Sequence, residues 1–151
     1  GSYSNEVTQY NDSANTVTSK AITGTITARS NVSGFSLNGY GYICNGYAFS
    51  YYNEVTQYND SANTVTSKAT GGTARANVSG FSLNGYGYIC NGSTGSVSGE
   101  TNQYNDSVNA WITKASNLGK EGAAGFSLNS YGYACNGYIA GTYTNTITQY
   151  N

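Results

Sequence analysis

The feature that most constrains this chain is that it repeats itself. GFSLNGYGYICNG at residues 34–46 returns unchanged at residues 80–92 and as GFSLNSYGYACNG at residues 125–137. A second block, QYNDSANTVTSKA from Gln9, recurs from Gln57, recurs with changes from Gln103 and begins again at Gln149. The spacing is about 46 residues, a period that belongs to propellers, solenoids and stacked arrays. A unit of that size cannot bury an apolar face alone, so the core has to lie between neighbouring units or neighbouring chains. The 151 residues therefore read as one array, divided near residues 1–33, 34–79, 80–124 and 125–151.

Within each period the side-chain pattern alternates with a spacing of two, which is the period of a strand and not of a helix. Residues 1–11 read as a strand, broken at Asn11, Asp12 and Ser13, whose side chains favour their own backbone groups in turns. Residues 15–20 alternate again, and residues 21–33 form a connection whose counterparts, 69–79 and 115–124, are shorter. A third strand at residues 33–37 runs into Asn38-Gly39, a strong hairpin signal, and a fourth at residues 40–44 ends at Asn45-Gly46. Variable loops follow at residues 47–52, 93–99 and 138–143. Four short strands per period with turns between them make one propeller blade.

Composition removes several functions. Net charge is −1 with 9% charged residues, so there is no cluster of Lys and Arg for nucleic acid or an anionic membrane surface. The basic residues Lys20, Lys68, Lys114, Arg29 and Arg75 fall at equivalent places, as though decorating the array. No apolar run approaches the about 18 residues that a membrane span needs. Histidine is absent, which takes away the commonest general base and metal ligand, so no enzyme activity, cofactor or metal is expected. Glu6, Glu54 and Glu100 recur on outer strands and Asp12, Asp60 and Asp106 in turns, as solvated or turn-forming acids. One carboxylate per turn is thin for calcium. Cys44, Cys90 and Cys135 stand at one position of the repeat, where they face alike and suit burial as small hydrophobes better than a disulfide. Sixteen Tyr and twenty Gly with abundant Asn, Ser and Thr fit an extracellular or surface-displayed β-protein. Asn11, Asn31, Asn59, Asn77, Asn91 and Asn105 head glycosylation sequons, which matter in a eukaryotic secretory pathway. No Met is present, so the chain is expected to be a mature product or a fragment.

Tyr104 followed seven residues later by Trp111, with Asn45-Gly46, Asn91-Gly92 and Asn136-Gly137 at the end of the second strand of each unit, resembles the Kelch-repeat β-propellers. That family has a Gly-Gly pair where this chain has Asn-Gly, and Val17 and Val65 stand where its Trp belongs. The resemblance covers the whole chain and implies an all-β fold of three four-stranded blades. Three are too few to close a ring, where four to eight are usual, unless chains associate or the array continues. A β-solenoid is the alternative. Copper chemistry known among Kelch-like propellers needs His ligands, and none can be carried over.

Two functions fit this reading. In the first, a meander places the uniform turns on one edge and the variable loops on the other, where Tyr47, Phe49, Tyr51, Tyr52, Tyr138 and Tyr143 would recognise a glycan or a protein. The same rings also suit covering the ends of the sheets. In the second, the array is structural and self-associates into rings or filaments. The duplicated stretches GSYSNEVTQYN and GTYTNTITQYN would supply the assembling edges through Asn5, Val7 and Tyr10 and through Asn145, Ile147 and Tyr150. Near-identical repeats equally fit a consensus-type designed propeller.

Overall fold

The computed structural model describes residues 2–151; Gly1, the first residue of the expected opening strand, lies outside them. All regular structure among the described residues is β, in small antiparallel sheets. A hairpin of β1 (Val7–Asn11) and β2 (Thr16–Lys20) comes first. A four-stranded meander follows, of β3 (Ser33–Leu37), β4 (Tyr40–Ala48), β5 (Ser50–Asn59) and β6 (Thr64–Lys68). A second meander comprises β7 (Ser79–Leu83), β8 (Tyr86–Cys90), β9 (Thr101–Asn105) and β10 (Ala110–Lys114). The last unit begins with β11 (Ala124–Leu128) and β12 (Tyr131–Cys135), continues through a small ribbon of β13 (Tyr138–Ile139) and β14 (Thr142–Tyr143), and ends with β15 (Ile147–Tyr150) paired to β12. The chain thus holds an outer hairpin, two complete units and a third unit without a fourth strand.

Local sequence explains the turns. Asn38 and Gly39 both take positive φ, 52° and 80°, the geometry that matches the twist of a two-residue hairpin. Asn129 and Ser130 keep it at 50° and 65° although Ser has replaced Gly. In the other turn, the side chains of Asn11 and Asn59 accept from the amides of Ala14 and Ala62 at 3.1 and 3.2 Å, and Asn15 and Asn63 close the turn in the left-handed region.

Two expected boundaries move. The opening strand begins at Val7, because residues 2–6 have no partner strand. The second strand of the first complete unit, β4, runs past Cys44 to Ala48 across a bulge at Asn45, so residues expected as a loop form a continued hairpin with Phe49 at its apex. Tyr47 opposite Tyr51 stabilises that extension, their rings edge to face at 5.3 Å.

The units meet through their first strands, β3 beside β7 and β7 beside β11. A Cβ on Gly80 would stand 2.5 Å from the Gly34 carbonyl oxygen, and one on Gly125 2.6 Å from that of Gly80, so only glycine permits this approach. Phe35 then covers Gly87, and Phe81 covers Gly132, each ring occupying the space of the missing side chain. Ser82 donates to the Ser36 carbonyl and Ser127 to that of Ser82. Both apolar clusters straddle a joint: Phe35, Leu37, Tyr42, Cys44 and Val55 pack with Ile89 and Tyr104, while Phe81, Leu83, Tyr88 and Cys90 pack with Ala123 and Ala134. Cys44 and Cys90 are buried there as free thiols, pushed by burial up to about 12 and about 11; Cys135, in the last unit, is half-buried and also free. Trp111 packs on Tyr104 and donates across the joint to the Ala69 carbonyl at 2.8 Å. At its equivalent positions Val65 is buried and Val17 exposed.

Candidate functional site

On the edge opposite the uniform turns, each connection into a unit pairs with the loop after that unit's second strand: Ser30 with Tyr47, Ala76 with Ser93, Glu121 with Tyr138. A basic residue lies buried beneath each pair. Arg29 donates through Nε to the Asn45 carbonyl at 2.5 Å and pairs with Glu54 at 2.6 Å. Arg75 repeats this with the Asn91 carbonyl at 2.7 Å and Glu100 at 2.9 Å, adding Asn102 Oδ1 at 2.8 Å. These residues do not decorate the array, as their even spacing implied; they tie the loops to the sheets from inside. The acids opposite them are correspondingly not free turn or surface groups. Burial alone would raise the Glu100 carboxyl, but Thr73, Arg75 and Asn102 hold it down to about 2, and Glu54 is lowered by Thr27 and Arg29 in the same way.

The third unit departs from the other two. Lys120 takes the arginine place and Thr146 the glutamate place, so the ammonium donates only to the carbonyls of Ala134, at 2.8 Å, and Thr146, at 3.3 Å. Burial lowers its pKa, and among the described residues no carboxylate pairs with it.

A second set of charges ties unit to unit at the uniform edge. Lys20 reaches Asp60 at 3.3 Å and Lys68 reaches Asp106 at 3.6 Å, each pair crossing from one outer hairpin to the next. Asp106 also accepts from Tyr42 at 2.6 Å and from Asn38 at 3.1 Å. Burial opposes its ionisation, yet these donors and Lys68 lower its pKa.

The expected aromatic residues do gather on the loop edge, in two groups. Tyr47 and Tyr51 form one pair, with Tyr52 half-buried beside them and Phe49 projecting into solvent, where Tyr3 meets it edge to face at 5.4 Å. Tyr138 and Tyr143 form the other, edge to face at 5.5 Å, with Tyr143 projecting. Between them lies the small-residue loop of the middle unit; a Cβ on Gly95 would stand 4.0 Å from the Tyr51 hydroxyl, and Ser93, Gly95 and Val97 share a hollow with Tyr138. The edge is therefore an aromatic hairpin, a flat polar stretch and a second aromatic hairpin. Beside the second hairpin is an open cleft of about 650 Å³ lined by Tyr138, Tyr143, Glu121, Asn77 and Asn136. Asn77 donates to Glu121 Oε2 at 3.0 Å, which fixes the carboxylate at the lining of the cleft.

Glu121 was not among the residues singled out from the sequence, and Asn77 was noted there only as the head of a sequon. Their signal was there: Ser30 and Ala76 occupy the repeat position of Glu121, so the acid is a departure from the repeat at a loop. The residues expected to mediate assembly are placed at the two ends. Asn5 and Tyr10 are exposed and Val7 half-buried in the first hairpin; Asn145 and Ile147 are exposed, while Tyr150 turns inward and packs on Phe81 at 5.4 Å.

Compared with known proteins, the chain matches no family model and no curated sequence.

Proposed function

We propose that the chain is a Kelch-like propeller segment acting as a non-enzymatic recognition module, with its loop edge as the binding surface and a glycan as the ligand. The blade arrangement is supported by the way the units touch: first strand lies closely beside first strand, whereas the outer hairpins meet through long side chains such as those of Lys20 and Asp60 or Lys68 and Asp106, as in blades set about an axis. A solenoid would stack every strand on its counterpart. The setting that suits such a module is extracellular or surface-displayed.

One observation carries the binding reading, the cleft at Tyr138 and Tyr143. A sugar ring offers an apolar face of C–H groups and a rim of hydroxyls. Tyr143 supplies a flat solvent-facing ring for the first, and Glu121 with Asn77 and Asn136 supplies acceptors and donors for the second. The buried lysine and hydrogen-bonded backbone underneath hold these groups before a ligand arrives, which lowers the ordering cost of binding. Titrating a panel of neutral and amino sugars into the chain while following tyrosine fluorescence tests this. At least one sugar should saturate a site that Tyr143→Ala and Glu121→Gln each weaken about tenfold. A panel without saturable binding, or binding untouched by both substitutions, contradicts the reading.

A further inference from the structure

Each internal joint has a donor side and an acceptor side, and each side occurs once more in the chain with no further unit packed over it among the described residues. Phe35 and Leu37 are both 7% exposed and Phe81 and Leu83 3% and 5%, whereas Phe126 and Leu128 are 45% and 56%. On the acceptor side, Gly87 and Gly132 lie under phenylalanine rings, but a Cβ on Gly41 meets nothing nearer than the Tyr58 side chain at 3.9 Å. A hollow of about 350 Å³ is there instead, lined by Val7, Gly34, Gly41, Ile43 and Tyr58 among others.

The charges are mismatched in the same sense. Glu6 holds the place of Glu54 and Glu100, yet it is exposed and its carboxylate accepts only from the Ser19 hydroxyl, at 2.5 Å, among the described residues. Lys120 is buried with carbonyls alone. An acid without its cation and a buried cation without its acid are the two halves of the pair that closes at Arg29–Glu54 and Arg75–Glu100. The strands match too: β1–β2 is an outer hairpin with no inner strands, and β11–β12 is an inner pair whose outer side holds only β15.

We propose that a second copy of this chain resolves all three mismatches at one joint: β1–β2 of one copy replaces β15 beside β12 of another, Phe126 and Leu128 seat over Gly41, and Lys120 meets Glu6. The exchange keeps the pairing chemistry of β12, because Thr8, Gln9 and Tyr10 of β1 repeat Thr148, Gln149 and Tyr150 of β15. It adds a fourth strand and an ion pair that β15 does not provide. The same chain cannot supply both halves, since its β1–β2 hairpin is held on the first complete unit by Lys20 and Asp60, with the second complete unit between it and β11. The joint is head to tail, so every added copy leaves one donor and one acceptor face, and growth continues until a ring closes or a filament forms.

Sedimentation velocity of the full chain over a concentration series tests the proposal. Mass should rise with concentration, and Phe126→Asp and Gly41→Val, on opposite ends, should each raise the midpoint concentration by about tenfold or more with unchanged circular dichroism. Mixed together, the two variants retain one good joint between them and should stop at dimers. Tyr143→Ala, on the loop edge, should assemble like the unaltered chain, which separates this proposal from the glycan reading. A chain that stays monomeric throughout overturns it, as does a Phe126→Asp variant that assembles normally; that side chain is solvent-facing in the single chain, so its result stands even if Gly41→Val fails to fold.

Discussion

Phe81 and Phe126 occupy the same position of consecutive units, follow the same backbone course and stack on the same partner tyrosine, Tyr88 at 5.1 Å and Tyr133 at 5.3 Å. One is 3% exposed and the other 45%. The difference owes nothing to the unit that carries the ring and everything to whether another unit lies over it. In a repeat array burial belongs to the joint, as does most of the stability. The buried charges differ for a local reason, with closed pairs where Glu54 and Glu100 face Arg29 and Arg75 and an unmatched lysine where Thr146 stands in the glutamate place.

The comparison can be broken most sharply at glycine. Gly87→Ala places a methyl group inside the Phe35 ring and should cost about 3 kcal/mol in urea unfolding, whereas Gly41→Ala, on the open face, should stay within about 0.5 kcal/mol. Equal effects would mean that the two faces are not the inside and outside of one kind of joint. Next comes the charge pair. Glu100→Gln leaves Arg75 buried with Asn102 and carbonyls only, and should cost about 2 kcal/mol. Thr146→Val, at the same position of the third unit, should change stability by less than about 0.5 kcal/mol.

Acid sharpens that contrast. The Glu100 carboxyl titrates lower in the folded chain than in the unfolded one, from an ordinary value of 4.5 to about 2. Its contribution is therefore complete above about pH 4.5 and is lost as pH falls towards 2, with Glu54 and Asp106 shifted in the same direction. Urea midpoints should fall over that window, and Glu100→Gln should flatten the fall. The smallest effect expected is at tyrosine hydroxyls: Tyr42→Phe removes bonds to Asp106 and Gln57 and should cost about 1 kcal/mol, while Tyr133→Phe, whose hydroxyl accepts only from Gln149 at 3.2 Å, should be close to neutral.

The strands and turns were legible because they are set by neighbours in sequence. Alternation located the strands of each meander, and Asn38-Gly39 required the turn that forms there. The joint was not legible in the same way. Gly41, Gly87 and Gly132 are alike in sequence as glycines within an alternating strand, and only the packing shows that Phe35 and Phe81 of the preceding units fill the space beside Gly87 and Gly132 while Gly41 stays open. The buried charges were misread for a related reason: even spacing is the same for a decorated surface and for a lock repeated in every unit, and partners 25 residues away decide between them. On the loop edge, the aromatic residues were visible as departures from the repeat. Their pairing into two hairpins, and the carboxylate that Asn77 fixes beside the second, required the fold.

Amide hydrogen exchange in dilute solution tests the central claim most directly, because it reads the stability of each first strand separately. β3 and β7, covered by the next unit, should exchange only through global unfolding, and β11, bearing the open Phe126 face, should exchange faster by at least about tenfold. Protection of β11 equal to that of β7 in the dilute single chain would contradict the claim that the joints, and not the units, hold this array together.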